Sequence, residues 1–203
     1  MTPEALAALI RSRLQGQGQG RFLVALAGPP GAGKSTLAQA LVGALGKGAR
    51  VVPMDGFHYD DAVLEARGMR SRKGAPETFD VGGFLHLVRR LREEGEVAIP
   101  IFDRGMELSR AAADIVGPED RVLVVEGNYL LLDEGRWRAL EGAFDLTVWI
   151  DVPEAELERR LMARWAAHGK TEAEARAWIA GNDLPNIRRT VAGSRAADVV
   201  LRP

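Results

Sequence analysis

The chain of 203 residues has no cysteine. This excludes disulfides, thiolate zinc sites, iron–sulfur clusters and a catalytic thiol, and it suits a reducing compartment. Nor does it hold any run near the roughly 18 consecutive apolar residues that a membrane span requires. Met1 to Leu14 lacks the cationic start, apolar block and small-residue cleavage site of a secretory leader. A surplus of one charge sign is missing too. Twenty-seven basic against 28 acidic residues leave a net charge of -1, too even for a protein that neutralises the phosphates of duplex DNA or RNA. The expectation is a soluble cytoplasmic protein with neither nucleic acid nor membrane as partner. At 46% hydrophobic and 27% charged residues, the composition fits one globular domain spanning 1–203. A chain of this length buries roughly 70% of its unfolded surface without metal or covalent staples.

Thr2-Pro3-Glu4 reads as a helix start: a hydroxyl cap, a proline at the first position and an acid facing the dipole. Leu6, Leu9, Ile10 and Leu14 follow at helical spacing, and the Gln-Gly alternation Gln15 to Gly20 ends the helix as a connector. Phe22 to Ala27 is apolar throughout, the pattern of a strand buried on both faces. Further such runs are Val51 to Met54, Val97 to Ile101, Val122 to Val125, Leu146 to Ile150 and Val199 to Leu201. Between them lie helical patterns: one capped by Asp80, one from Pro153 to about Ala167, and one from Thr171 with Glu174 completing a capping box. Apolar strands alternating with helices predict an α/β fold of three layers, a parallel core sheet covered by helices on both faces. Gly56 to Glu77, polar and arginine-rich, is longer than a passive connection and is either functional or disordered.

After the first strand stands Gly28-Pro29-Pro30-Gly31-Ala32-Gly33-Lys34-Ser35, which satisfies G-x-x-x-x-G-K-[ST] with a strand before and an amphipathic helix after. Glycines let the backbone wrap a phosphate and turn its amides inward, Lys34 brings charge to the β and γ oxygens, and Ser35 offers a hydroxyl to magnesium. Thr36 and the helix start add free amides and the positive dipole end. The expected nucleotide contacts are therefore Gly28 to Thr36, with ATP and Mg2+ as cofactors. A guanine-reading N-K-x-D is absent. So is the acidic pair of ring-forming ATPases, because Val122 to Val125 leads into a single acid, Glu126, and then Gly127.

The second strand runs into Asp55-Gly56-Phe57-His58-Tyr59. Carboxyl ends of strands line the ligand crevice of an open parallel sheet, so Asp55 faces the phosphates if its strand neighbours the first. A kinase needs a carboxylate there to hold the attacking hydroxyl in line and take its proton late. A helix cap or a magnesium-shell ligand is the alternative role for Asp55.

Gly28 to Ser35, Asp55-Gly56-Phe57, Arg72 to Asp80, Pro100 to Arg104 and Glu126-Gly127, in that order and spacing, resemble the uridine kinase, pantothenate kinase and phosphoribulokinase group of P-loop kinases over about residues 21–180. The resemblance implies Asp55 as base, Glu126 as organiser of magnesium with Ser35, and a lid over about 153–182 whose first helix carries arginines. Of Arg159, Arg160 and Arg164, the latter two are four apart and share a face, and at least one of the three is a solvated residue. Lys34, Asp55, Arg160 and Arg164 form the expected catalytic set.

Uridine kinases read their pyrimidine with a histidine that has no counterpart in Phe102 to Arg110. The D-G-F-H piece, the E-G-N-Y-L-L run at Glu126 to Leu131 and the chain length are similar to a compact bacterial subgroup described as fructokinase-like or nucleoside kinase-like. The expected partner is a small-molecule hydroxyl acceptor, a sugar first, with pantothenate or a nucleoside as alternatives. A nucleotide-dependent switch acting through a protein partner is the alternative from another class. Asp55, His58, Tyr59, Asp103, Arg104 and Arg110 have the chemistry to read hydroxyls. His58 and Tyr59 could equally pack the start of the long loop, and Asp103 with Arg104 could be a surface pair. His86 and His168 read as surface residues. Arg67, Arg70, Arg72 and Lys73 fit a mobile acceptor-side loop or an oligomer contact, with a homodimer left open, and Asn182 to Asn186 is a candidate border for the adenine that no residue type establishes.

Overall fold

The computed structural model describes residues 1–16, 18 and 20–202. Gln17 and Gln19 of the expected connector lie outside the described residues. Helix α1 (Pro3–Leu14) starts as expected, with Thr2 accepting from Ala5 N. Strand β1 (Phe22–Ala27) is buried at every position. Leu23, Ala25 and Ala27 face one apolar cluster and Phe22, Val24 and Leu26 the other, as a strand covered on both sides must. The chain continues through α2 (Lys34–Leu45), β2 (Ala49–Pro53), a short 3-10 turn (Met54–Phe57), α3 (Asp61–Ala66) and α4 (Val81–Glu93). Then come β3 (Val97–Asp103), β4 (Leu108–Val116), β5 (Val122–Gly127), β6 (Leu146–Ile150), α5 (Glu154–Ala167), α6 (Glu172–Trp178), α7 (Leu184–Gly193) and β7 (Val199–Leu201).

Five strands form one parallel sheet in the order β2-β5-β1-β6-β7. Helices α1 and α2 pack together on one face beside α5, burying Ile10, Leu41 and Leu157, while α4 covers the other through Phe84, Leu87 and Leu91. Each such side chain contributes roughly 1.5–3 kcal/mol. Asp80 caps α4 through Gly83 N, and Thr171 with Glu174 forms a complete capping box on α6.

Two expectations are corrected. Val97 to Ile101 does not enter the parallel sheet: within β3 it pairs antiparallel with β4 in a separate hairpin, with register Val97↔Val116 and Asp103↔Leu108. An apolar run announces burial, not which strand will pair with it, and Val97 and Ile99 are buried against α4 and the sheet instead. Also, β2 pairs with β5, not β1. Among the described residues no helix is long and apolar enough to cross a membrane. Gly56 to Glu77 is ordered, as α3 and three short 3-10 turns.

Candidate active site

β5 lies between β1 and β2, and Glu126 is in register with Leu26 on one side and Pro53 on the other. Gly28 and Asp55 each lie two residues beyond those partners. The phosphate loop and the acidic turn therefore flank the end of β5 at the carboxyl edge of the sheet, where α/β folds hold ligands. Asp55 lines the crevice together with Glu126 although its strand does not neighbour β1, held in the 3-10 turn that follows β2. That turn is seated on Phe57, which packs edge-on against Phe84 at 5.3 Å.

Gly31 and Gly33 hold φ of 82° and 88°, the left-handed region that glycine tolerates. Gly33 caps α2 without any side-chain bond, so the first-turn amides are left for a ligand. A Cβ on Gly31 would sit 3.3 Å from Leu161 Cγ, so the loop passes directly under α5. Lys34 is buried, its Nζ donating to Pro29 O at 3.0 Å. Burial pushes its pKa down to about 8, against the pull of Glu126 and Asp55. An ammonium kept this dry and this short of partners fits a polyphosphate.

Ser35 Oγ donates to Glu126 Oε1 at 3.0 Å. Burial and the neighbouring Asp55 charge raise the Glu126 pKa, outweighing Lys34 and the Ser35 bond. Burial works in the same direction on Asp55, but His58, Arg104, Lys34 and Arg164 together hold it below its ordinary value. The two carboxyls are therefore pulled apart, and the shift on Asp55 favours its carboxylate form, as a base requires. Among the described residues no group of three or more His, Cys, Asp or Glu could hold a metal. Magnesium usually takes one or two protein oxygens and completes its shell with phosphate and water, so the Ser35–Glu126 pair fits it.

Around these residues lies a cleft of about 620 Å³. Of the expected site residues, Pro30, Gly31, Gly33, Lys34, Ser35, Thr36, Asp55, His58, Arg104, Glu126, Arg160 and Arg164 line it. Gly28, Pro29 and Ala32 shape the loop from behind, the carbonyl of Ala32 accepting from Arg160 Nη1 at 3.3 Å. Arg160 is also tied to Glu156 at 2.7 Å and pins α5 to the loop. Arg159 bonds Glu156 with its side chain 71% exposed, and is the solvated member of the three. Arg164 has no carboxylate within 4 Å among the described residues; its guanidinium carbon lies 5.5 Å from the Trp165 ring centroid, and burial lowers its pKa.

Arg104 Nη2 meets Asp55 Oδ2 at 2.6 Å, and the Asp55 carbonyl contacts His58 Nδ1 at 2.8 Å. Tyr59, Asp103 and Arg110 stand off the cleft. Tyr59 turns to the opposite side of the chain beneath Arg67, 4.5 Å away. Asp103 faces the amides of Gly105 and Met106 and pairs with Arg110 at 3.4 Å, on the outer side of the hairpin. His168 is exposed as expected but lines the cleft, whereas His86 does not.

Sequence reasoning left out Glu107, Asn128, Trp165, Lys170 and Trp178, and gave Arg70 and Lys73 no definite place; all seven line the cleft. Lys73, buried, bridges Asp61 at 2.7 Å and Glu107 at 3.2 Å. Arg72 bonds Gly181 O and Asn186 Oδ1, and Asn182 Nδ2 donates to Lys73 O at 2.9 Å. The arginine-rich loop is therefore docked onto the segment joining α6 to α7 as a wall of the cleft. Of the residues left out, Asn128 carried a signal in the sequence, directly after Gly127, where β5 ends.

Residues 23–191 match the family model described as Phosphoribulokinase / Uridine kinase family. A crystal structure from Silicibacter sp. TM1040, described as a "putative fructose transport system kinase", is 48% identical and superposes with a TM-score of 0.95, covering 99% of both chains. The "Uncharacterized protein YggC" of Escherichia coli (strain K12) is 36% identical over 188 residues, 90% of this chain and 78% of that protein. The "Putative uridine kinase C227.14" of Schizosaccharomyces pombe is 32% identical over 197 residues, 91% of this chain and 84% of that protein.

Proposed function

Because the chain belongs to the phosphoribulokinase and uridine kinase family, and so is a P-loop phosphotransferase with a hydroxyl acceptor, we propose that it moves the γ-phosphoryl group of ATP to a sugar or sugar-like polyol. The observation that carries this reading is the placement of an ionised Asp55 across the cleft from the Gly28 to Ser35 loop, with Lys34 and Arg164 between them short of carboxylate partners.

The acceptor hydroxyl donates its hydrogen bond to Asp55, which orients the oxygen in line with the γ-phosphorus and takes the proton late in the transfer. Amides of the loop and Lys34 hold the phosphate chain. Charge spread over the transferring group in a loose transition state is met by Arg164, delivered from α5, while the lid excludes water. Magnesium, which Ser35 and Glu126 would hold together with the phosphates, supplies charge neutralisation at the β and γ oxygens.

A sugar suits the acceptor half better than a base or an apolar chain does. Phe102, which lines the cleft, has Lys73 Nζ at 5.1 Å and the Arg104 guanidinium carbon at 5.8 Å from its ring centroid and the His58 ring 4.8 Å away, so its neighbours occupy the surface on which a base would stack. Hydroxyls need paired donors and acceptors, which His58, Arg104, Glu107 and Asn128 provide. The name given to the Silicibacter protein points the same way. ADP formation against a panel of hexoses, pentoses, nucleosides and pantothenate tests the reading. Stimulation by a sugar is expected. Stimulation by a nucleoside or pantothenate alone would replace the acceptor, and stimulation only by a protein partner would replace the kinase reading with a switch.

A further inference from the structure

We propose that Arg104 is a gate on Asp55: its guanidinium holds the carboxylate closed to water and yields it to an acceptor that brings a second oxygen beside the hydroxyl to be phosphorylated. The inference rests on Asp55 being the base, and it adds how the site separates its acceptor from solvent.

Three observations meet here. First, Arg104 Nη2 lies 2.6 Å from Asp55 Oδ2 and occupies the contact an attacking hydroxyl would need, while the Asp55 side chain is 24% exposed, so a water would take that oxygen if the guanidinium left it. Second, Asp55 is the only carboxylate that Arg104 meets among the described residues. Third, the hairpin tip does not depend on this pair for its position. Asp103 accepts from the amides of Gly105 and Met106, each at 3.0 Å, and Lys73 holds the Glu107 carbonyl at 3.1 Å. Ser109 Oγ donates to His58 O at 3.2 Å, and the Pro100 carbonyl lies where a Cβ on Gly56 would stand, 2.3 Å away. With its backbone fixed by these contacts and its side chain half exposed, Arg104 can swing without moving the wall.

Water and a polyol present the same O–H to the base, and either could attack the γ-phosphorus. In the water reaction a bond forms from water oxygen to the γ-phosphorus and the bond from that phosphorus to the β,γ-bridging oxygen breaks. The electron pair leaves with ADP and the proton passes to Asp55, leaving inorganic phosphate. A charge-assisted bond between guanidinium and carboxylate opposes this, because one water cannot take Oδ2 and also give the guanidinium a positioned oxygen in exchange. A neighbouring hydroxyl, carbonyl or carboxylate on the acceptor can. Arg104 is thus a positioning residue that selects against water and for vicinal oxygens.

The test measures ADP release from MgATP without any acceptor, and KM and kcat with D-fructose, for the wild type, Arg104→Met and Arg104→Lys. Arg104→Met is expected to raise acceptor-free hydrolysis roughly tenfold, a modest share of what a general base supplies. Its KM for D-fructose should rise by a similar factor while kcat changes less. Arg104→Lys, which keeps a charge but not the fork, should bring hydrolysis most of the way back. A residue of purely structural importance would lower both reactions together. Hydrolysis unchanged or reduced in Arg104→Met, with Arg104→Lys no closer to the wild type, overturns the gate; raised hydrolysis with an unchanged KM overturns its link to the acceptor. Failure of D-fructose in the wild type excludes that one sugar, the best acceptor of the panel then replaces it in the KM and kcat measurements, and the hydrolysis arm still reads the gate.

Discussion

Replacing Lys34 with methionine should make the nucleotide-free protein more stable. Its side chain is only 8% exposed, and its pKa falls to about 8 from the ordinary 10.5. That gap corresponds to about 3 kcal/mol spent in holding the ammonium charged in the fold. The folded value lies below the unfolded one, so this cost is present in full below about pH 8 and fades as pH rises from there towards 10.5. Methionine removes it, while the Pro29 carbonyl loses its donor, which costs about 1 kcal/mol. The net gain at pH 7 is about 2 kcal/mol, or roughly 4–8 °C in Tm for a chain of this size. Calorimetry without nucleotide, at pH 7 and pH 9.5, measures it: Lys34→Met should melt higher at pH 7, keep a smaller advantage at pH 9.5, and lose the stabilisation that ATP gives the wild type. A Lys34→Met protein less stable than the wild type at pH 7, or an advantage independent of pH, would refute the reasoning. The cost itself is what a phosphate-binding lysine needs, since binding the ligand removes it.

The same titration predicts that ATP binding at pH 9 takes up a proton, because phosphates raise the Lys34 pKa; calorimetric binding enthalpies in two buffers of different ionisation enthalpy should differ accordingly, and equal enthalpies would count against it. Arg164→Gln should lower kcat by roughly a thousandfold, the low end for a transition-state arginine, whereas Arg159→Gln, whose head bonds only Glu156 in solvent, should leave steady-state turnover near the wild type. Gly56→Ala should force the hairpin off the acidic turn, since its Cβ would stand 2.3 Å from the Pro100 carbonyl oxygen; a loss of about 1–3 kcal/mol in urea unfolding is expected, together with reduced turnover.

Much of the fold is local and was therefore legible. The caps at Thr2, Asp80 and Thr171 depend on side chains one turn away. The phosphate loop depends on glycines at two left-handed positions and on the order strand, loop, helix. Buried strands betray themselves by apolar runs, and five of the six runs entered the parallel sheet. Pairing is not local. Val97 to Ile101 carries the same composition as the other runs, and its partner β4 is an alanine-rich, largely exposed strand interrupted by Ser109, Arg110 and Asp114, with no continuous apolar run to mark it. For the same reason the sequence could name adjacency of the two strands only as a condition for Asp55 to face the phosphates, and β5 stands between them.

Within the site, residues at strand ends and in the phosphate loop could be found from sequence, because the sheet edge fixes them. Tyr59 follows the turn after β2, Asp103 ends β3 and Arg110 lies near the start of β4, yet a turn or a hairpin face directs each away from the cleft. Lys73 arrives from the long loop, Trp165 from α5 and Trp178 from α6, and only tertiary docking, such as Asn182 on the Lys73 carbonyl, brings them to the wall.

If Asp55 is the base facing the phosphate loop, Asp55→Asn removes the proton acceptor and leaves the nucleotide contacts untouched. With MgATP and the acceptor that the panel identifies, the account predicts a kcat reduced by about 10²–10⁴-fold and an ATP dissociation constant changed little, because Lys34, Ser35 and the loop amides remain in place. Wild-type turnover by Asp55→Asn would contradict it.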